Sequence, residues 1–373
     1  MGSSSCDVLI AGGGPAGLSA AIALRQRGAD VLVADSLQPP IDKACGEGLM
    51  PASRRALTSL GVELTTDHGA EFQGILFAGP EAHAAAEFPR GLGLGVRRPV
   101  LHRLLLHRAE ELGVRFAWKS PVVFRSQQAA HMGGQPCRYG WLVGADGHAS
   151  RVRSWAGLDA ASLRSRRFGF RAHYRVAPWS HWVEIHWGTL GQAYITPVGP
   201  QEICVAGVTR HPGLRLAQIL AGLPSLNDRL AGAHTATPER GALTLTRRLR
   251  RVTRGNVALI GDASGSADAI TGEGLAMGFR QALLLADSLA AGTLDLYEAR
   301  HARILALPQR MAGLMLLLDR LPRLRQRTLQ VFAHRPQLFR AMLAVHVGEQ
   351  SLPHFTLRHG AELGALLLAP RFA

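Results

Sequence analysis

Residues 7–35 read DVLIAGGGPAGLSAAIALRQRGADVLVAD and decide the beginning of the fold. The apolar run Asp7–Ala11 predicts a buried strand, Pro15–Arg27 a helix, and Val31–Ala34 a second strand. A strand, a glycine turn, a helix and a second strand in this order predict a parallel α/β sheet. Between the first strand and the helix the motif Gly12-x-Gly14-x-x-Gly17 predicts a loop that holds a dinucleotide pyrophosphate at a helix N-terminus.

Asp35 ends the second strand, where a carboxylate accepts a hydrogen bond from a ribose hydroxyl group. A glycine-rich turn with an unrelated surface aspartate is the alternative interpretation. The placement of the motif after a strand and before a helix favours the dinucleotide site. The motif alone does not distinguish NAD from FAD.

Length and charge narrow the class of protein. The chain has 373 residues, 47% of them hydrophobic, and a formal net charge of +15. This length predicts two or three structural units. The positive charge is typical either of a basic solvated surface or of a surface that meets an anionic membrane, a carrier protein or an anionic cofactor. We expect no nucleic-acid partner, because the chain has no finger, helix-turn-helix or RNA-binding motif.

The cysteines and the apolar runs bear on the compartment. Cys6, Cys45, Cys137 and Cys204 are scattered without a paired spacing, which predicts a reducing, cytoplasmic environment. We expect no signal peptide before the first strand. No apolar run is long enough to predict a transmembrane helix, so any membrane contact is expected to be peripheral.

The rest of the chain predicts a discontinuous architecture. A Rossmann-like domain with a parallel sheet is expected from residues 1–75, 95–160 and 250–295. Alternating runs between residues 167 and 209 predict an antiparallel sheet, so a substrate domain is assigned to residues 76–94 and 161–249. Residues 296–373 predict a helical tail. Its stretches Leu305–Leu321 and Leu329–Val347 mix Leu, Met and Arg, which indicates core-packing helices or a face towards lipid.

Two further segments carry a family resemblance. They are Gly144-Ala145-Asp146-Gly147, followed by Arg151, and Gly261-Asp262-Ala263, followed by Thr271-Gly272-Glu273-Gly274-Leu275. With the glycine loop, and in this order, they resemble the para-hydroxybenzoate hydroxylase-type superfamily of FAD-dependent oxidoreductases. The resemblance covers about half of the chain. It implies that Asp146 lies near the FAD pyrophosphate, that Asp262 contacts the ribitol, and that Arg98 helps to hold the cofactor.

The cofactor site is assigned from the motif and the resemblance together. The helix that begins near Gly274 is expected to direct its positive N-terminal end at the flavin, where reduction places negative charge. The residues assigned to FAD are Gly12, Gly14, Pro15, Ala16, Gly17, Asp35, Ser36, Cys45, Gly46, Arg98, Val122, Asp146, Gly147, Gly261, Asp262, Gly272, Gly274 and Leu275.

A fourth segment, Lys43-Ala-Cys45-Gly46-Glu47-Gly48, separates the branches of the superfamily. With Gly272-Glu273-Gly274, it is similar to the geranylgeranyl reductases, in which reduced flavin saturates double bonds of prenyl chains. Cys45 is a candidate proton donor, because a thiol is mostly protonated at neutral pH. Glu47 and Glu273 are candidate acids if buried, since burial favours the neutral carboxyl group. Ordinary loop roles are the alternative for all three residues.

The substrate side is assigned to Trp182, Trp187, Tyr194 and Pro197, with packing inside the sheet as the alternative. The chain lacks the Trp-x-Trp-x-Ile-Pro element of flavin halogenases, which disfavours halogenation. It also lacks a second dinucleotide motif, so NAD(P)H or an external reductase is expected to supply electrons transiently. No histidine spacing predicts a metal site.

The resulting hypothesis is a flavin-dependent reductase of C=C bonds in a prenyl, lipid-like or polyketide-like substrate, free or carrier-bound. The main alternative is a monooxygenase that acts through a flavin C4a-hydroperoxide on an aromatic or polyketide substrate. A non-catalytic lipid escort protein is a third reading, disfavoured by the intact glycine loop. The sequence makes no prediction about the oligomeric state.

Overall fold

A computed structural model describes residues 4–369 and alternates short strands with helices over most of that length. The strands are β1 (Ser4–Ala11), β2 (Val31–Ala34), β3 (Gly48–Leu49), β4 (Ala70–Phe72), β5 (Gly74–Ala78), β6 (His83–Glu87), β7 (Gly93–Gly95), β8 (Arg115–Ala117), β9 (Val122–Ser126), β10 (Ala129–Met132), β11 (Gln135–Gly144), β12 (Ala161–Arg175), β13 (Trp182–Trp187), β14 (Gln192–Gly199), β15 (Glu202–Thr209), β16 (His234–Thr235), β17 (Arg240–Leu249), β18 (Thr253–Arg254), β19 (Val257–Leu259) and β20 (Gly265–Ser266).

Helices connect and cover these strands. They are α1 (Pro15–Arg25), α2 (Pro51–Ser59), α3 (Arg98–Glu111), α4 (Arg151–Trp155), α5 (Leu216–Ala221), α6 (Pro224–Arg229), α7 (Gly274–Ala290), α8 (Asp295–Arg320), α9 (Pro322–His334), α10 (Pro336–His346) and α11 (Leu352–Leu368). Short 3₁₀ turns occupy Thr66–His68, Gly261–Ser264 and Ala269–Thr271.

The first sheet has the order β18-β19-β11-β1-β2-β8, with β10 beside β11 and β9 beside β10. The pairs β19–β11, β11–β1, β1–β2 and β2–β8 are parallel. Helices α1, α3 and α7 pack with this sheet in one apolar cluster that includes Ile10, Leu18, Leu105 and Phe279. All of these side chains are buried, so burial of apolar surface holds the layers together. The predicted α/β class with a parallel sheet is confirmed.

The second sheet has the order β20-β17-β12-β15-β14-β13-β5-β6, with β16 beside β12. Its pairs are antiparallel except β13–β5, in which Trp182 aligns with Gly74 and His186 with Ala78. The segments predicted for the substrate domain supply most of its strands. Strand β20 comes from the segment assigned to the cofactor domain and pairs with β17. A small third sheet, β3-β7-β4, joins the loop after β2 to this region.

The C-terminal helices cover one face of the second sheet. Phe332 and Phe339 of α9 and α10 stack with centroids 4.9 Å apart, and Phe339 stacks on Phe77 of β5 at 4.7 Å. These helices share an apolar cluster with β5, β6, β13 and β14. The predicted helical tail is therefore observed, and it is part of the core as well as of the surface.

Candidate active site

One large cavity runs along the junction of the two sheets. Its volume is about 1100 Å³, and it has two chemically distinct halves. One half lies at the carboxyl ends of β1, β2 and β11, where the glycine loop begins. The other half lies between the second sheet and helices α8–α11 and is lined mainly by Leu, Met, Phe and Val side chains. Ligands bind in α/β proteins at the carboxyl ends of strands, so the first half is a nucleotide site by its position.

The glycine loop is shaped by close backbone approaches. A Cβ atom on Gly12 would lie 2.4 Å from the carbonyl oxygen of Ala145, and one on Gly17 would lie 1.9 Å from the carbonyl oxygen of Gly12. A Cβ atom on Gly14, the residue before α1, would meet no protein atom within 4 Å, and Gly14 lines the cavity. Gly12 and Gly17 are therefore needed for packing, whereas Gly14 leaves room for a ligand at the α1 N-terminus.

Asp35 and His102 fix the conformation of the loop. Gly13 N–H donates to Asp35 Oδ2 at 2.6 Å, and Leu37 N–H donates to Asp35 Oδ1 at 2.8 Å. On the other side the Nε2–H of buried His102 donates to the Gly13 carbonyl oxygen at 2.9 Å. Burial lowers the pKa of His102, so the ring is held in its neutral form. Asp35 also lines the cavity, where a ribose hydroxyl group can reach it.

Asp146 follows β11 in the cavity wall, beside Gly12 of the glycine loop. Its Oδ2 accepts hydrogen bonds from the backbone N–H groups of Arg151 and Val152, at 2.7 and 3.1 Å. Its Oδ1 is buried without a partner in the described chain. Gly147 follows with a φ of 79°, a conformation that favours glycine. The carboxylate thus orients the first turn of α4 and leaves one oxygen free towards the cavity.

Asp262 lies between the ammonium group of Lys43 and the imidazole ring of His148 at the same end of the cavity. Its Oδ2 is 3.1 Å from Lys43 Nζ and 3.2 Å from His148 Nε2. Burial alone would raise the pKa of Asp262, but the charge and hydrogen bond of Lys43, with His148 beside it, outweigh burial and lower that pKa. Lys43 and His148 are functional candidates that sequence reasoning did not select; only their positions beside Cys45 and Asp146 in sequence pointed to them.

The loop of residues 43–48 connects the two halves of the cavity. At one end Lys43 contacts Asp262, and at the other Gly48 lies against Thr196 and Val183 of the second sheet. The Thr196 hydroxyl group donates to the Gly46 carbonyl oxygen at 2.8 Å, which fastens the loop to β14. Cys45 lines the cavity midway, and its Sγ accepts a hydrogen bond from Glu47 N–H at 3.4 Å.

Glu47 is fully engaged in a buried polar cluster. Its Oε1 accepts from the N–H of Arg98 at 2.9 Å, and its Oε2 lies 2.6 Å from His173 Nε2. Arg171 Nε is 3.8 Å from Glu47, and Asp42 forms a second ion pair with Arg171. Glu47 adopts a left-handed backbone conformation with a φ of 59°. Such a conformation persists where the surrounding contacts hold it, so Glu47 acts here as an anchor of the loop.

The Glu47, His173 and Cys204 side chains converge with ligand atoms within 4.8 Å of one another. The arrangement does not suit a cation, because Arg171 already places a positive charge beside Glu47. Burial also raises the pKa of the Cys204 thiol, which opposes the thiolate form that binds metals.

Helix α7 begins at the cavity with Gly274. Gly272, Gly274 and Leu275 line the cavity, so the α7 N-terminus faces it. Glu273 is buried, and its Oε2 has no partner in the described chain. Burial raises the pKa of Glu273, but its side chain is not part of the cavity wall. The structure thus separates Glu273 from Cys45 and Glu47, which do line the cavity.

The residues assigned to FAD converge on one half of the cavity. Apart from Gly17, which packs against Gly12, each of them lines it: Gly12, Gly14, Pro15, Ala16, Asp35, Ser36, Cys45, Gly46, Arg98, Val122, Asp146, Gly147, Gly261, Asp262, Gly272, Gly274 and Leu275. These residues come from segments that are remote in sequence. The fold brings them together because β1, β2, β11 and β19 end at one edge of the parallel sheet.

The four residues assigned to the substrate occupy different places. Tyr194 lines the apolar half, and its hydroxyl group donates to Gln192 Oε1 at 2.8 Å. Trp187 lies outside the wall and stacks on Phe77, which does line the cavity. Trp182 covers Gly74, and Pro197 contacts Gly95, also outside the wall. Packing inside the sheet accounts for these three residues.

The apolar half is built largely from the tail. Met311, Met315 and Leu318 of α8, Phe332 of α9 and Phe339 of α10 face Ile75, Phe77, Val183, Ile185 and Val208 of the sheet. Sequence reasoning named the tail as a candidate lipid-facing element but selected none of these side chains. The alternation of these apolar residues with Arg was the one sequence pattern that pointed to an apolar face of the tail.

Comparison with known proteins identifies the first half of the chain. The FAD binding domain family matches residues 5–189. The residues present fit FAD: Gly14 leaves open space at the α1 N-terminus, and Asp146 keeps one buried oxygen free. Fold and site together define an FAD-dependent oxidoreductase. The resemblance to the para-hydroxybenzoate hydroxylase-type superfamily of these enzymes is thereby confirmed over residues 5–189.

Similarity extends over most of the chain. It is 28% identical to a dialkyldecalin synthase of Streptomyces rugosporus over 80% of this chain and 70% of that protein. It is 28% identical to a menaquinone reductase of Mycobacterium tuberculosis over 83% and 84% of the two chains. A geranylgeranyl bacteriochlorophyll reductase-like protein from Thermoplasma acidophilum shares the fold, with a TM-score of 0.74, 18% identity, and coverage of 97% and 100%. Among residues 4–369, no helix combines the length and apolar character needed to span a bilayer.

Proposed function

We propose that this flavoprotein is a reductase that saturates a C=C bond in a long apolar substrate of the prenyl or lipid type. The observation that carries the proposal is the apolar half of the cavity, which adjoins the FAD site and lies between the second sheet and α8–α11. A chamber lined by Met315, Phe332 and Phe339 favours a flexible hydrocarbon chain, because burial of apolar surface supplies most of its binding energy.

The similarity to a menaquinone reductase and to a geranylgeranyl reductase-like protein supports reduction of a prenylated substrate. The Cys45-Gly46 segment supports it from the sequence, since this element is similar to that of the geranylgeranyl reductases.

FAD, once bound and reduced, would supply the reducing chemistry as a hydride equivalent, which is one proton with two electrons. The chain supplies the geometry for that transfer. Lys43 and Asp262 lie at the cofactor half, and Gly48 lies against the apolar half, so the loop between them faces both reactants. The Cys45 thiol, in the cavity wall, donates a proton to the second carbon atom and recovers one from solvent. The product gains two hydrogen atoms in total.

The polar groups of the apolar half orient the substrate. Burial raises the pKa of Tyr194 well above its usual value, so its hydroxyl group stays protonated. His346, at the end of α10, lines the same chamber. NAD(P)H, or an external reductase, is the proposed electron donor. This donor binds transiently, because the described chain has one glycine-rich dinucleotide loop and FAD occupies that loop.

Product mass tests the proposal. The purified protein is loaded with FAD, reduced with dithionite without oxygen, and mixed with menaquinone. After extraction and reoxidation of the quinone ring, we expect a product that is still heavier by two hydrogen atoms, and Cys45→Ala should slow its formation while FAD stays bound. The same mixture in air separates the alternatives, because one added oxygen atom would identify a monooxygenase and contradict the proposal.

A further inference from the structure

The end of α8 carries an exposed apolar stripe. Leu314, Leu317 and Leu321 are 37%, 44% and 46% exposed, whereas Leu305 and Leu318 of the same helix are buried. They are three and four residues apart, so they share one face of the helix and its C-terminus. The stripe is therefore a continuous apolar surface in contact with water, and such surfaces mark interaction sites.

The same stripe borders the mouth of the apolar chamber. Leu314 is both exposed and part of the chamber wall. Leu363 and Leu367 of α11 are half-buried and also line the chamber. Helix α11 is held at its C-terminus by Arg327, which donates to the carbonyl oxygen of Leu366 at 2.7 Å. The chamber thus opens to the surface between α8 and α11, beside the stripe.

Cations flank the stripe. Arg310, Arg320 and Arg323 are exposed, and their side chains have no partner within residues 4–369. Asp319 does not offset them, because it faces inward and accepts from Gln192 at 2.9 Å while also pairing with Arg210.

Neighbouring acidic groups are also engaged. Glu362 of α11 lies 3.8 Å from Arg335, and Glu81 contacts Gln326 of α9. The face that contains the stripe is therefore apolar at its centre and positive at its margin.

We propose that this face docks the protein on the surface of an anionic lipid bilayer, and that the apolar substrate passes from the bilayer into the chamber through the adjoining mouth. Leucines enter the boundary between headgroups and acyl chains, and arginines contact anionic headgroups. The net charge of +15 acts in the same direction. The passage of substrate rests on the proposed function, whereas docking itself does not.

The position of the chamber mouth favours a bilayer over a protein partner. The mouth leads directly into an apolar chamber of the same cavity as the FAD site. A substrate dissolved in the bilayer would reach it without crossing water, which matters for a hydrocarbon chain because exposure to water is unfavourable.

Vesicle binding tests the docking surface. The full-length protein with FAD is mixed with vesicles of phosphatidylcholine alone, or of equal parts phosphatidylcholine and phosphatidylglycerol, and its partition coefficient is measured by sedimentation. We expect binding to the anionic vesicles that weakens with salt. Arg320→Glu with Arg323→Glu, and separately Leu317→Gln with Leu321→Gln, should each lower the coefficient by at least about tenfold. None of these four side chains lines the cavity.

Matched controls change exposed residues elsewhere. Arg250→Glu with Arg251→Glu reverses the same number of charges, and Leu92→Gln with Leu190→Gln replaces the same number of leucines, which are 42% and 36% exposed. The proposal predicts a smaller loss for each control than for its counterpart in the stripe. Equal losses, or no binding of the unaltered protein to anionic vesicles, would overturn it, as would binding to an immobilised acidic carrier protein in place of vesicles. The assay contains neither substrate nor electron donor, so an inactive reductase that still binds vesicles contradicts only the proposed function.

Discussion

Glu47 Oε2 and His173 Nε2 lie 2.6 Å apart in the closed interior between the two sheets. Both side chains are inaccessible to solvent. The pair joins the loop after β2 to strand β12. The backbone N–H of Arg98, at the start of α3, also donates to Glu47, so the same carboxylate holds a third element. The orientation of the Cys45 loop relative to the substrate chamber therefore depends on contacts that Glu47 makes.

Glu47→Ala should destabilise the protein strongly. The change leaves Arg171, His173 and the N–H group of Arg98 without their shared acceptor in the interior. Removal of one partner from a buried ion pair typically costs about 3–5 kcal/mol. Urea unfolding of the FAD-loaded protein measures the difference. The exposed Glu63→Ala is the control, and a loss for Glu47→Ala as small as that of the control would show that the cluster does not anchor the loop.

Two glycine substitutions should have opposite effects. In Gly17→Ala the new Cβ would lie 1.9 Å from the Gly12 carbonyl oxygen, so the free energy of unfolding of the apoprotein should fall by about 1–3 kcal/mol. In Gly14→Ala the new atom meets no protein atom but enters the cofactor half of the cavity. FAD affinity should then fall at least about tenfold, or about 1.4 kcal/mol, with stability retained.

Fluorescence titration with FAD and thermal unfolding measure the two quantities. The account of the loop would be contradicted if Gly14→Ala bound FAD as the unaltered protein does.

His301 should make stability depend on pH. Burial lowers its pKa to about 4 from an ordinary value of 6.5, and Gln281 lies 3.1 Å from its Nε2. The unfolded chain therefore takes up a proton at a higher pH than the folded chain. Stability should be complete above pH 6.5 and fall as the pH drops from 6.5 to about 4. The total loss is about 3 kcal/mol.

Comparison with His301→Gln isolates this contribution, because His102 and His148 titrate in both proteins. Chemical unfolding at several pH values should show a shallower fall for the variant below pH 6.5 and parallel curves above it. Parallel curves over the whole range would rule out a buried neutral His301.

Met315→Trp should shorten the substrate chamber. Met315 lies in the chamber wall opposite the sheet, and a larger side chain there leaves less room for a long chain. We expect kcat/KM for a long prenyl substrate to fall at least about tenfold relative to a short analogue, with FAD content unchanged. Met315→Leu, which nearly conserves volume, is the matched control. An equal effect on long and short substrates would show that the hydrocarbon chain of the substrate does not bind beside Met315.

The dinucleotide half of the site could be predicted from the sequence, because patterns of residues close in sequence determine it. The strand–loop–helix order fixed α1 and the place of Gly12 and Gly14, and helix α7 begins at Gly274 as predicted. The conformation of such elements depends on residues that are close in sequence. Their glycines are required because other backbone atoms approach them closely.

The substrate half depends on contacts remote in sequence. His173 meets Glu47 across 126 residues, and no spacing in the chain signals that pairing. Trp187 lies on the tail-facing side of β13, as Ile185 does, but Phe77 and Arg325 cover its ring, so it does not line the chamber. Met315 does line the chamber, and no pattern in the sequence distinguishes the two cases. The sequence indicated an apolar tail and could not indicate which of its faces encloses a cavity.

Anaerobic reoxidation of the reduced protein tests the central claim most directly. The FAD-loaded protein is reduced, freed of excess reductant, and mixed with a long prenyl compound that carries no quinone ring, in the absence of oxygen, while flavin absorbance is followed. The account predicts that the oxidised flavin spectrum returns in proportion to the substrate added and that Cys45→Ala slows this return. A spectrum that stays reduced until oxygen is admitted would contradict the account.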